Sequence, residues 1–156
     1  MLPRMILGMF AAASVAACVN TAPKEEISFV APPMQWDHHP EGPEWTESTL
    51  VALSTKDQEL SERVPADIQT WCPGYQTASV EDRRSFWAGL LSAVAKYEST
   101  WNENASGGGG RWIGLMQISP RSAANYGCNA TSVGALKDGE ANLQCAVEIM
   151  STQVAK

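Results

Sequence analysis

Positive charge is scarce in this chain. Eleven Lys and Arg stand against 17 Asp and Glu over 156 residues, a formal net charge of −6. A partner read through its phosphate backbone needs clustered Lys and Arg, so nucleic-acid binding is excluded as the main function. Metal-ligand patterns are also thin. There are only four cysteines, none in a CxxC pair, and the two histidines, His38-His39, are adjacent in a Pro-rich stretch, so no metal is expected. Long apolar runs are missing as well. The run Met5 to Ala17 falls short of the roughly 20 apolar residues a spanning helix takes, and suits the core of a signal peptide instead. No GxxxxGK follows the four glycines Gly107 to Gly110, so that stretch reads as a flexible loop and not a phosphate cradle.

What is present points to export and one compact domain. Val15-Ala16-Ala17-Cys18 resembles a bacterial lipobox, which predicts a signal peptide over 1–17, lipid attachment at Cys18, and a membrane partner reached through that anchor. A residue other than Asp after Cys18, here Val19, implies the outer membrane, facing the periplasm. Prolines 23, 32, 33, 40 and 43 predict an extended tether over 18–44. A single domain over 45–156 follows, long enough with 44% hydrophobic residues to bury a core. In an oxidising compartment Cys128, in a loop, and Cys145, in the next predicted helix, are expected to pair, leaving Cys72 over.

The strong periodic signals are helical. Leu50, Leu53 and Leu60 predict an amphipathic helix from Trp45 to about Val64, ended by Pro65. Ser79 with Asp82 resembles a capping box and starts a central helix near Val80 that runs to about Ser99. On that helix Phe86, Leu90, Val94 and Tyr97 form one apolar stripe, and Trp87, Leu91 and Val94 lead to Glu98 on another. A carboxylate continuing an apolar face at a helix C-terminus loses water and meets unpaired carbonyls. Both effects push its pKa upward, as a general acid requires. Ser119 is a natural N-cap with Pro120 at the first helical position, and Gly127 closes that short helix. From Asp138 a last helix repeats Leu143, Val147, Met150 and Val154.

The segments YEST (Tyr97–Thr100), GLMQISP (Gly114–Pro120), YGC (Tyr126–Cys128) and the Asn142-Leu143 pair, in this order and spacing, resemble the soluble lytic transglycosylase family with its goose-type-lysozyme-like fold. The resemblance covers about residues 86–150. It implies a mostly α, lysozyme-like domain and no cofactor, with peptidoglycan glycan strands as the partner. It further implies that Glu98 is the general acid and base, that Ser99 helps hold it and contacts substrate, and that Gln117, Met116 and Asn142 contact the sugar. The reaction implied is cleavage between N-acetylmuramic acid and N-acetylglucosamine to a 1,6-anhydro end. A lysozyme-type hydrolase would need a second carboxylate, for which Glu103, Glu140 and Glu148 are candidates outside any motif. The family pattern continues past the Asn-Leu helix and includes a Tyr beside the acid, whereas no Tyr follows Met150. A shortened, non-cleaving peptidoglycan-binding lipoprotein is therefore the rival expectation.

Overall fold

In the computed structural model, residues 31–154 are described. The signal peptide, Cys18 and most of the tether lie outside them. Five helices and one small hairpin make up the domain: α1 (Gly42–Ser54), α2 (Ile68–Trp71), α3 (Val80–Ser99), β1 (Ser106–Gly107), β2 (Trp112–Ile113), α4 (Pro120–Asn125) and α5 (Gly139–Val154). The mostly α expectation is met. α1 packs against both α3 and α5, and the core lies between them.

Local signals set the ends of the later helices. The Ser79 hydroxyl accepts the Asp82 N–H at 3.1 Å and starts α3. Ser119 does the same for Ser122 at 3.0 Å, ahead of Pro120, and starts α4. Asp138 accepts the Ala141 N–H at 2.9 Å at the start of α5. Each bond satisfies an N–H that a helix end otherwise leaves unpaired. α4 is followed by Gly127 at φ +74°, and Cys128 just after it is bonded to Cys145 of α5. A cross-link across a 17-residue separation is worth about 3 kcal/mol through the unfolded chain. Cys72 is half-buried and free.

α1 is shorter than its periodicity predicts. It stops at Ser54, and the chain from Thr55 to Arg63 runs in successive turns that still bury Leu60 completely. The cause is tertiary. Arg84 of α3 clasps Asp57 through both oxygens of its carboxylate. Arg83 donates to the carbonyls of Tyr75 (2.9 Å), Ser61 (3.3 Å) and Gln76 (2.7 Å). Ser61 and Asp57 belong to the turns after α1, so Arg83 and Arg84 tie that stretch to α3 through one carbonyl and one carboxylate. Beneath them Tyr75 is buried, accepts the Trp87 N–H at 2.9 Å, and has its phenol pKa raised by burial.

The domain also begins earlier than residue 45. Met34 and Trp36 are core residues, with Trp36 fully buried, so residues 34–44 are packed structure and not an extended tether. Prolines 40 and 43 shape a strap of tight turns here: His39 N–H bonds the Trp36 carbonyl at 2.9 Å and Gly42 N–H bonds that of His39 at 3.0 Å. No helix among the described residues is long and apolar enough to cross a membrane.

Candidate functional site

The C-terminal turn of α3 outlasts the core. Ser85, Ala88, Leu91, Ser92 and Ala95, together with Trp87, make up the buried face of the helix. Tyr97, 85% exposed, and Glu98 stand beyond the last of them. The expected burial of Glu98 is therefore corrected: its carboxylate is exposed, because the apolar stripe leading to it reaches the edge of the domain one turn early. Glu98 has no hydrogen bond or ion pair with any described residue. The Phe86, Leu90, Val94 and Tyr97 stripe is likewise not the core face. Small residues, serines and alanines, let α3 approach its neighbours closely, and their modest hydropathy hid that face from the periodicity.

The chain leaves α3 through a strained turn. Thr100 and Trp101 both have left-handed backbones, φ 54° and 56°. For residues other than glycine each costs about 1–3 kcal/mol and persists only when its surroundings enforce it. Here Thr100 N–H bonds the Lys96 carbonyl at 3.1 Å, Trp101 N–H that of Ala95 at 3.3 Å, and the Trp101 indole N–H that of Ser92 at 2.9 Å. The Ser99 hydroxyl donates to the Ala95 carbonyl at 3.2 Å, so it is engaged along the helix and not with Glu98.

Downstream, the GLMQ segment is a tight loop. Ile113 and Ile118 bridge each other at 3.1 and 3.0 Å, and between them the chain turns through Gly114 at φ +79° and Gln117 at φ +48°. The Gln117 amide donates to the Gly114 carbonyl at 2.9 Å. Its oxygen lies against the hairpin residue Gly107, where an added Cβ would come within 2.3 Å of it. This explains one of the four glycines: Gly107 leaves room for the Gln117 side chain. Gly107→Ala is expected to displace that flexible side-chain end at a stability cost below about 1 kcal/mol. If Gln117 binds sugar, affinity for soluble glycan should fall several-fold in titration calorimetry. Unchanged affinity would separate Gln117 from binding.

Asn142 is placed differently from the expectation. It is fully buried, and its side-chain amide donates to the carbonyls of Ile113 (3.0 Å) and Leu136 (2.9 Å) while its oxygen accepts the Met116 N–H at 2.9 Å. It therefore cannot touch a sugar. It holds the backbone of the loop that carries Met116 and Gln117, both half-buried. Asn142 lies one position off the Leu143 and Val147 stripe in the sequence, so nothing local announced that it is buried and satisfied internally.

The acids proposed as second carboxylates are dispersed. Glu148 pairs with Lys56 at 2.8 Å. Glu103 and Glu140 line a cavity of about 480 Å³ between the starts of α1 and α5, with Glu41, Glu44, Trp45 and Asp138, and Glu98 is not in its wall. No described group of three or more His, Cys, Asp or Glu side chains could hold a metal ion. His38 and His39 face Trp101 instead, with ring centroids at 4.6 and 5.9 Å.

The transglycosylase SLT domain model matches residues 77–156. Among solved structures, two glutamate-to-glutamine mutants of Bd0314 DslA superpose on the chain. One has TM-score 0.72 at 28% identity, covering 81% of this chain and 75% of that one. The other has TM-score 0.71 at 31% identity, covering 79% and 72%. A wild-type form gives TM-score 0.70 at 29% identity. No curated protein matches by sequence.

Proposed function

The chain belongs to the transglycosylase SLT domain family, which acts on peptidoglycan, and from that membership we propose that it is a lytic transglycosylase with Glu98 as its one general acid and base. The substrate is the β-1,4 bond from N-acetylmuramic acid to N-acetylglucosamine. Glu98 in its acid form gives its proton to the bridging oxygen, and the bond from that oxygen to muramyl C1 breaks. The carboxylate left behind takes the proton of the muramyl C6 hydroxyl. That oxygen bonds to C1, closing a 1,6-anhydro ring without consuming water.

The observation that carries this reading is Glu98, exposed and paired with no described residue, at the end of a helix whose following turn is held by several bonds. Glu148 is paired with Lys56, and Glu103 and Glu140 line a cavity whose wall does not include Glu98, which favours chemistry that needs one carboxylate over hydrolysis by two. A glycan docked over a carboxylate displaces its water, and loss of water favours the proton-carrying form. Substrate binding would thus provide the dry setting that the bare helix end lacks.

Mass spectrometry of products released from peptidoglycan sacculi tests the assignment. Products lighter by one water than hydrolytic ones, absent with Glu98→Gln, are expected. Reducing ends would reassign the protein as a lysozyme-type hydrolase, and sacculus binding without release would make it a non-cleaving binding module.

The cell-envelope placement is part of the same proposal. Cys18 carries the lipid, and the domain faces the periplasm from the outer membrane. Cys18→Ser should move the protein from the membrane fraction to the soluble one and end metabolic labelling with palmitate. Persistent labelling would rule out Cys18 as the attachment site.

A further inference from the structure

The strap of residues 34–42 lies upstream of the family match at 77–156, yet it closes over the turn that follows Glu98. The meeting point is Ser92, fully buried in α3. Its hydroxyl accepts the Trp36 backbone N–H at 3.2 Å, and its carbonyl accepts the Trp101 indole N–H at 2.9 Å. One residue of the central helix thus takes the strap on one atom and the post-helix turn on another. The His38 ring then meets the Trp101 ring edge-on at 4.6 Å, with His39 at 5.9 Å from Trp101 and 5.5 Å from Trp45.

The strap is itself well anchored. The Trp36 indole donates to Thr46 at 2.8 Å and packs edge-on against Trp45 at 6.1 Å. Asp37 accepts the Met34 N–H at 2.8 Å. Gly42 has no room for a side chain, since an added Cβ would lie 2.8 Å from the Trp36 carbonyl. Around Trp101 the charged neighbour is Lys96, with Nζ 5.7 Å from the ring centroid. A left-handed pair such as Thr100-Trp101 stays in place only while something holds it, and here one contributor is the imidazole pair.

We propose that His38 and His39 are positioning residues: packed against Trp101, they hold the Thr100-Trp101 turn and through it the orientation of Glu98. This rests on Glu98 being the acid. Small errors in the placement of a reacting group are expensive in rate, whereas sugar affinity set by other contacts is not affected.

The test uses the full chain with four forms: unaltered, Glu98→Gln, His38→Ala with His39→Ala, and His38→Phe with His39→Phe. Steady-state kinetics on soluble glycan fragments and hydrogen exchange of the amides at 99–102 are read together. The double alanine form is expected to lose about tenfold in kcat with KM within twofold. Exchange at 99–102 should be faster in it while α5 is unchanged, and the double phenylalanine form should recover most of both. His38 is exposed and His39 half-buried, and the double phenylalanine form controls for loss of packing. Unchanged exchange at 99–102 in the double alanine form overturns the proposal whatever the activity, as does a loss confined to KM. Full activity in Glu98→Gln with altered exchange would instead discard Glu98 as the acid and leave the strap's hold on the turn intact.

Discussion

Glu98→Gln is expected to lower the rate of glycan cleavage by at least about 10²–10⁴-fold, the range that positioned proton transfer contributes. The loss should sit near or above the upper end, because one carboxylate serves both as acid to the leaving oxygen and as base to the C6 hydroxyl. An amide can do neither. The side chain is exposed and bonded to no described residue, so thermal stability should change by less than about 0.5 kcal/mol. A melting curve run beside the product assay separates the two effects. If the variant still cleaves within about tenfold of the unaltered protein, Glu98 is not the proton donor, and Glu103 becomes the first acid to replace.

The second large effect is on stability. Asn142→Ala would strip partners from the Met116 N–H and the Leu136 carbonyl at once, and one of two from the Ile113 carbonyl, which keeps the Ile118 N–H at 3.0 Å. Each buried group left unpaired costs about 1–3 kcal/mol, and the lost volume adds to it. A destabilisation of about 3–5 kcal/mol is expected, read from the midpoint of urea unfolding. Gly114→Ala attacks the same lock from the other side. Its Cβ would lie 2.2 Å from the Leu136 carbonyl oxygen and 2.3 Å from the Asn142 amide nitrogen, at φ +79° where a side chain is already disfavoured. Because the two changes break one contact set, the double variant should lose less than the sum of the singles. A loss below about 1 kcal/mol for Asn142→Ala would show that the loop holds without this residue.

A glycan site needs groups held at fixed positions while the sugar comes and goes. In this chain a buried amide fixes the GLMQ loop and a pinned indole fixes the turn after α3. Neither holds by burying a large apolar side chain. Both use backbone carbonyls and N–H groups as the anchored atoms, which is how irregular segments are kept in place without regular secondary structure.

Signals that act over a few residues were legible in the sequence. Ser79 with Asp82, Ser119 with Pro120 and Asp138 ahead of α5 mark helix starts because a cap and the amide it satisfies are near neighbours in the chain. The order of the YEST, GLMQ and YGC segments carried the family. Tertiary structure decided the rest: where α1 stops, that Glu98 is exposed, that Asn142 supports the loop instead of touching sugar, and that residues 34–44 belong to the domain. Those outcomes depend on pairs such as Trp36 with Ser92, His38 with Trp101, Asp57 with Arg84 and Gly114 with Asn142. Such partners are far apart in sequence and share no period. Only folding brings them within the few ångströms over which hydrogen bonds and packing act.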